Sequence, residues 1–221
     1  MIVGDCINRQ RRARRCAGFS AVELMVVAVI AVVVAGFAIP GVLNAVHMAR
    51  LRGTGSDFSS LLQSGRIRAV QDNRFYSIYI LASAPQQAYV DLWPQNVDGT
   101  SGNTGTSVDA HDPAIVIPRE VQSVAAGSAP NTANLKALFL PAGSSLVPND
   151  ANQTPITFSP RGLPCKTQNA TGGTVCDSAG GAIASWAFFR NSLTRQWEAV
   201  TVSPSGRIQK WQYTTAWAKI S

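Results

Sequence analysis

The sequence predicts an α+β protein in which a long, apolar amino-terminal helix is followed by a β-rich, sandwich-like domain. Residues 19–39 form an apolar run of 21 residues that contains one charge, Glu23, and one hydroxyl, Ser20. Beyond Arg74 the helical spacing of apolar residues gives way to short aromatic and β-branched segments bounded by proline or glycine. At 221 residues the chain accommodates one membrane helix and one domain of ordinary size.

A basic leader, residues 1–18, precedes the apolar run. The chain carries 19 basic and 12 acidic residues, for a net charge of +7. Five of the basic residues lie in the leader, namely Arg9, Arg11, Arg12, Arg14 and Arg15. Without the leader and its Asp5, 14 basic and 11 acidic residues remain, or +3. The high net charge is therefore mainly a property of the leader and does not indicate nucleic-acid binding.

Residues 19–40 are predicted to form a transmembrane helix, because about 20 helical residues span the roughly 30 Å of a bilayer core. The arginines before this helix place its start in the cytoplasm, so the downstream domain is expected to be exported. A secretory signal would carry its small-residue cleavage site after the apolar run. Here Ala17 and Gly18 precede the run, so we expect cleavage after Gly18 that leaves the helix on the mature protein.

Glu23 places a carboxylate inside this helix, at a cost of about 2.5–3.5 kcal/mol on insertion scales, and such residues usually mark a function or a partner. Cleavage after Gly18 creates an amine on Phe19, one helical turn away, which is suited to neutralising Glu23. The alternative is that Glu23 snorkels to the membrane interface. Near the end of the helix, Gly36 and Pro40 predict a kink or local unwinding, either to let the helix extend or simply at the membrane exit.

The segment CAGFSAVELMVVAVIAVVVAGFAIP resembles the amino terminus of type IV pilins and type II secretion pseudopilins. The shared features are a glycine, the phenylalanine after it, a glutamate at the fifth mature residue and a proline at the twenty-second. They correspond to Gly18, Phe19, Glu23 and Pro40. The resemblance implies that a prepilin peptidase cleaves after Gly18 and methylates the Phe19 amine. It also implies that Glu23 pairs with the Phe19 amine of a neighbouring subunit during assembly.

The same resemblance implies where the protein resides and what it meets. We expect a single-pass protein of the bacterial inner membrane, with its amino terminus in the cytoplasm and its β-rich head in the periplasm, that later joins a filament. The implied partners are the prepilin peptidase, other pilins or pseudopilins in the filament, and the inner-membrane assembly platform.

Apolar residues continue at helical spacing after the membrane segment, which predicts an amphipathic helix over residues 41–74. Gly53 and Gly55 interrupt this pattern, and Ser56 with Asp57 offers a new amino-terminal cap. We therefore expect a break in the helix at these residues.

Residues 75–221 are predicted to form the periplasmic, β-rich pseudopilin head. Predicted strands cover residues 75–81, 88–93, 114–117, 135–140, 156–159, 183–190, 196–203 and 207–212. Residues 96–113 form a polar, glycine-rich stretch that is too long for a simple hairpin loop. His111 and Asp112 lie in this stretch and are interpreted as a solvated pair rather than a catalytic one.

Cys165 and Cys176 are the two cysteines outside the leader, and they predict one disulfide. A pair that closes a loop of roughly ten residues fits an oxidising compartment, whereas a zinc site needs two further ligands nearby. Neither His47 nor His111 is close to the pair in sequence, so we expect no metal and no cofactor. No nucleophile has a plausible base partner, so a non-enzymatic function is expected.

The last third of the chain contains ITFSPRGLP, a cysteine-bounded loop, and alternating strands that end in WEAVTVSPSGRIQKW. These motifs resemble the H-type minor pseudopilin and FimT-like minor pilin group, in which a helix is followed by a β-sandwich-like head. The residues that carry this resemblance are Phe158, Pro160, Arg161, Gly162, Ser205, Gly206 and Arg207. The expected function is that of a minor pilin or pseudopilin in a type IV pilus or type II secretion filament.

DNA capture for natural transformation is the alternative function. Arg207, Lys210 and Trp211 form a basic-aromatic mixture that suits phosphates and stacked bases. Some FimT-like pilins bind DNA through a G-R-x-R motif. This chain has G-R-I-Q-K, which turns the second basic residue to the other face of a strand, and turn chemistry alone explains the PSG sequence. A second basic group on the helix, Arg66, Arg68 and Arg74, is interpreted as a solvated face.

Overall fold

A computed structural model describes residues 20–81, 83–92, 108, 110–165, 167–170, 173–176 and 183–220, with backbone alone for 167–170 and 173–176. The chain divides into two compact units, an amino-terminal unit, Met1–Leu43, and a carboxy-terminal unit, Asn44–Ser221. Helix α1, Ala21–Gln71, contributes residues to both. A long apolar helix followed by a mainly antiparallel β domain confirms the predicted α+β class.

In the amino-terminal unit, every described residue from Ser20 onward is exposed. Large apolar side chains cover the whole circumference of the helix here, at Val22, Leu24, Met25, Val26, Val27, Val29, Ile30, Val32, Val33, Val34, Phe37, Ile39, Val42 and Leu43. Among the described residues, α1 is the one helix long and apolar enough to cross a membrane. A helix that is apolar all round suits a lipid environment rather than water.

Helix α1 continues through the positions where the sequence predicts disruption. Pro40 lies inside the helix, so local unwinding is absent there. The predicted break between Gly53 and Asp57 is also wrong. Gly55 is buried in the carboxy-terminal unit, and Leu51 and Phe58 on either side of it belong to the core, so tertiary packing supports the helix where propensity is weak.

Thirteen strands follow α1 in the described residues. In chain order they are β1 Tyr76–Leu81, β2 Gln87–Asp91, β3 Ala114–Val116, β4 Val121–Val124, β5 Asn149–Asp150, β6 Ile156–Phe158, β7 Pro164–Cys165, β8 Thr167–Ala170, β9 Gly173–Cys176, β10 Ser185–Asn191, β11 Trp197–Val202, β12 Ile208–Tyr213 and β13 Trp217–Ile220. Between β4 and β5 lie a 3₁₀ turn, Ala126–Ser128, and helix α2, Thr132–Phe139.

The strands form two main sheets and a separate hairpin. The first sheet has the order β3-β2-β1-β6-β7, and the second has the order β13-β12-β11-β10-β4. Strand β5 pairs in parallel with β10, whereas the other pairs are antiparallel. Strands β8 and β9 pair with each other between Thr167 and Cys176.

The strand predicted at residues 135–140 is wrong, because most of this segment belongs to α2. The Asn131 side chain caps the helix by accepting a hydrogen bond from the Asn134 N–H at 3.3 Å. Leu135 and Phe139, one turn apart, then pack into one apolar cluster. The other seven predicted strands each overlap an observed strand, whereas β4, β5, β7, β8, β9 and β13 had no counterpart among the predictions.

Two hydrophobic clusters form on opposite faces of the second sheet. The first cluster joins α1 to both sheets and includes Leu62, Ile78 and Val200. The second cluster lies between the second sheet and α2 and includes Phe188 and Trp217. Neighbouring residues of β10 and β11 alternate between the two clusters, as the period of a strand requires.

Glycine allows α1 to lie close to the second sheet. A Cβ atom at Gly55 would be 2.0 Å from Oε1 of Glu198 on β11, and Glu198 is 1% exposed. Gly53, two residues earlier in the same helix, has no atom within 4 Å of such a Cβ. The two glycines share a helical backbone and differ in the space around them.

We predict that Gly55→Ala destabilises the carboxy-terminal unit, because the new methyl group displaces a buried carboxyl group that has little room to move. Gly53→Ala should stabilise it by about 0.5–1 kcal/mol, the usual gain from replacing glycine inside a helix. Urea unfolding of the full chain in detergent micelles, followed by tryptophan fluorescence, measures both. Equal effects of the two substitutions on stability would contradict the close approach of α1 to β11 at Gly55.

Candidate functional site

Ser20 and Glu23 form a capping box at the start of α1. The Ser20 Oγ accepts a hydrogen bond from the Glu23 N–H at 3.2 Å, and a Glu23 carboxylate oxygen accepts one from the Ser20 N–H at 3.5 Å. The S-x-x-E spacing of residues 20–23 is a local sequence signal for this arrangement. Glu23 therefore has a partner within its own chain at the predicted assembly site.

The other predicted residues of the amino-terminal site divide between described and undescribed parts of the chain. Gly18 and Phe19 lie outside the described residues, so cleavage, methylation and the pairing of Phe19 with Glu23 stay predictions. Pro40 lies on the exposed part of α1.

The predicted disulfide concerns the region around β7 to β9. Cys165 at the end of β7 is disulfide-bonded. The side chain of Cys176 lies outside the described residues, so its pairing with Cys165 stays a prediction. Among the residues that the structure describes, no group of three or more His, Cys, Asp or Glu is arranged to hold a metal ion.

The three residues predicted for DNA contact do not share a surface. Lys210 Nζ donates a 2.8 Å hydrogen bond to Ser56 Oγ on α1. Trp211 is 5% exposed in the second cluster, and its Nε1 donates to Thr201 Oγ1 at 2.8 Å. Arg207 is exposed. Successive residues of β12 point to opposite faces of the sheet, which separates Lys210 from Trp211.

Two turns of the same Ser-Pro-x-Gly sequence lie in different sheets. In residues 159–162, the Gly162 N–H donates to the Ser159 carbonyl at 2.7 Å. In residues 203–206, the Gly206 N–H donates to the Ser203 carbonyl at 2.8 Å. Proline at the second position and a glycine of positive φ, +71° and +78°, suit this kind of hairpin turn. The positive φ of Gly206 confirms the turn predicted at PSG.

Arg66 binds both turns. Its Nε donates to the Gly162 carbonyl and its Nη1 to the Gly206 carbonyl, each at 2.9 Å. The interpretation of Arg66 as part of a solvated face is therefore wrong. A Cβ atom at Gly206 would lie 2.8 Å from the Gly162 carbonyl oxygen, so the two turns also touch each other. One guanidinium group thus joins α1 to a hairpin of each sheet.

A polar group lies between α1 and the second sheet, around Glu198. Neither carboxyl oxygen of Glu198 has a hydrogen-bond partner in the described part of the protein. Burial raises the pKa of Glu198 to about 8, although Lys210 and Arg52 act in the opposite direction. The Arg52 Nη2 donates to Gln212 Oε1 at 3.1 Å, on the strand next to Glu198. With a pKa of about 8, the Glu198 carboxyl group is mainly in its protonated form at neutral pH.

A second polar connection lies near the start of the carboxy-terminal unit. Arg50 forms an ion pair with Glu120, and this ion pair lowers the pKa of the Glu120 carboxyl group. The Asn191 Nδ2 donates to the His47 carbonyl oxygen at 3.1 Å. Helix α1 is therefore bonded to the β domain through side chains at several levels.

Comparisons with family models, with curated proteins and with solved structures find no match to this chain.

We predict that Arg66→Gln lowers the free energy of unfolding by about 2–4 kcal/mol, because it removes two charge-assisted hydrogen bonds and leaves two carbonyls without a donor. Arg66→Lys should rescue this loss only in part, since one ammonium group lacks the fork of a guanidinium. Arg74→Gln, on the exposed residue after the helix, is the control and should change stability by less than about 0.5 kcal/mol. Urea unfolding measures the free energy of unfolding of all three variants. Similar losses for Arg66→Gln and Arg74→Gln would contradict the role of Arg66 in joining α1 to the two turns.

We predict that stability falls as pH rises from about 4.5 to about 8 because of Glu198. The folded protein retains this proton up to about pH 8, whereas the unfolded chain loses it near its usual pKa of 4.5, so deprotonation favours unfolding throughout this range. The slope approaches about 1.4 kcal/mol per pH unit at most.

Glu198→Gln should remove this slope, because its amide group does not titrate. Glu120→Gln is the matched control: Arg50 lowers the pKa of Glu120, so its titration falls below the window and the slope should persist. Urea unfolding at several pH values makes the comparison. Parallel pH profiles for the wild type and Glu198→Gln would show that Glu198 is ionised in the folded protein.

Proposed function

We propose that this protein is a non-enzymatic filament subunit of the type IV pilus or type II secretion class, and within it an H-type minor pseudopilin or FimT-like minor pilin. A prepilin peptidase removes residues 1–18, and the subunit waits in the inner membrane with its β domain in the periplasm. It then enters a filament through the apolar part of α1.

The main support for this proposal is that the two parts of α1 differ in composition and in surroundings. Between Ala21 and Leu43 the helix exposes apolar side chains on all sides, with Glu23 as its one charge. After His47 the same helix is bonded to and packed in a β domain. The exposed apolar side chains at one end of this helix are stable in lipid and not in water. The helix can therefore leave the lipid only for another apolar environment, such as a bundle of like helices.

Two further observations fit this proposal. The five arginines of the leader favour retention of the amino terminus in the cytoplasm and export of the β domain. Cys165 is disulfide-bonded, which suits the oxidising periplasm and not the bacterial cytoplasm.

DNA capture receives less support from the geometry. Trp211 is buried and Lys210 is bonded to α1, so neither is available as Arg207 is. Arg207 is then the one available residue of the three predicted for DNA contact, and it makes a weak phosphate-binding surface alone, since affinity for nucleic acid grows with the number of phosphates neutralised. The filament proposal therefore has priority over the uptake proposal.

We predict that Glu23→Ala leaves membrane insertion and leader removal intact and lowers incorporation into filaments by about tenfold or more. The physical reason is that a buried amine without a counter-charge costs more than about 1.4 kcal/mol. The assay uses a host that lacks its own copy of the gene, and compares the variant in sheared filaments with the variant in membranes. The mass of the membrane form reports leader removal.

Ser20→Ala is the matched control, because it removes the Oγ that caps Glu23 N–H and keeps the Glu23 carboxylate. It should lose about 0.5–2 kcal/mol of helix stability at most and still be incorporated. If both variants fail alike, Glu23 acts as a helix cap and not as an assembly residue. If Glu23→Ala is incorporated like the wild type, the filament proposal in this form is wrong.

A further inference from the structure

A groove of about 590 Å³ lies beside the carboxy-terminal end of α1. Its apolar lining consists of Ile67 and Val70 on the helix and Ile208 at the start of β12. Gln63, Gln71 and Ser205 add uncharged polar groups to its wall. This volume lies within the usual range of about 300–1,000 Å³ for sites that bind small ligands or a few side chains.

The apolar lining is unusual for its position. Ile67 and Val70 are 54% and 53% exposed, and they are the large apolar residues that α1 exposes between His47 and Gln71. Apart from Ala49, the other exposed positions in this part of the helix hold polar residues, such as Arg52, Asp57 and Gln63. Residues three apart on a helix lie side by side, so these two form a continuous strip next to Ile208.

The charge of the groove has one sign. Arg66 and Arg207 both line it, and none of the described residues that line it is acidic. Arg66 already donates to two carbonyls. The Arg207 guanidinium makes no hydrogen bond or ion pair with any residue of the described chain, and it remains available for an anion.

We propose that this groove binds an extended peptide segment of another protein in which a carboxylate side chain lies two residues from an aliphatic one, so that both point to the same side of the segment. The aliphatic side chain packs against Ile67, Val70 and Ile208, and the carboxylate accepts hydrogen bonds from Arg207. Guanidinium and carboxylate form a planar, two-bond pair, which gives the site a preference for acidic over amide side chains. Gln63, Gln71 and Ser205 provide donors and acceptors for the peptide backbone.

A peptide fits the groove better than a nucleic acid does. None of the described residues that line the groove is aromatic, so they do not provide the stacking surface that single-stranded nucleic acids use. A phosphate backbone also requires a track of cations, whereas one free guanidinium beside an apolar strip matches one carboxylate beside an aliphatic group.

The test uses the full chain in nanodiscs of phosphatidylcholine, whose head groups carry no net charge. The probes are two fluorescein-labelled peptides, Ser-Leu-Ser-Glu-Ser and Ser-Leu-Ser-Gln-Ser, both amidated at the carboxy terminus, and anisotropy gives Kd. We expect the wild type to bind the Glu peptide about tenfold more tightly than the Gln peptide. Arg207→Gln should abolish this difference, and Ile67→Gln should weaken the binding of both peptides.

Arg161→Gln is the matched control, because Arg161 is an exposed arginine in the other Ser-Pro-x-Gly turn and does not line the groove. It should keep the preference for the Glu peptide. The proposal is overturned if neither peptide binds the wild type at millimolar concentration, or if the Arg207 and Arg161 variants behave alike. It is also overturned, in favour of nucleic acid, if a 20-nucleotide single strand displaces the Glu peptide and needs Arg207 for its own binding. The assay requires no filament, so its failure would leave the proposed function intact.

Discussion

The position of the Arg66 guanidinium determines how the carboxy-terminal unit fits together. It donates to the Gly162 carbonyl of the first sheet and to the Gly206 carbonyl of the second, while its own backbone belongs to α1. Both turns must therefore present a carbonyl to the same side chain, and Gly206 must lack a Cβ because the Gly162 oxygen is too close to accept one. The apolar core that α1 shares with both sheets depends on this alignment, since Phe158 and Val202, next to the two turns, both belong to it.

The same close packing explains the protonated carboxyl group of Glu198. Gly55 allows α1 to approach β11, and this approach excludes water from the glutamate that lies between them. Arg52 and Lys210 are near enough to act on its charge, but they donate their hydrogen bonds to Gln212 and Ser56. A buried polar group of this kind adds little to stability and does restrict which face of the helix can contact the sheet. The helix is thus aligned by Arg66 at one level and by Glu198 and its neighbours at another.

Local patterns in the sequence predicted most helices and strands. Contacts between residues far apart in the sequence determined the features that local patterns could not predict. The apolar run and seven strands were predictable because their periods and turn residues are local. Residues 135–140 were mistaken for a strand, since a short apolar run has no distinguishing period and the cap at Asn131 lies outside it. The role of Arg66 in joining the two turns could not be predicted, because its acceptors lie 96 and 140 residues away along the chain. Lys210 and Trp211 were paired by adjacency, although neighbouring residues of a strand face opposite clusters.

The capping box sharpens the role proposed for Glu23. A carboxylate has two oxygens and roughly four acceptor sites, and the Ser20 N–H occupies one site at a long 3.5 Å. In the membrane helix that we propose, the cap would therefore reduce the cost of the charge and leave acceptor sites of the carboxylate unoccupied. In the proposed filament the remaining acceptor sites are free for the Phe19 amine of a neighbouring subunit. Capping within the chain and pairing between chains are thus compatible, because each uses acceptor sites that the other leaves unoccupied.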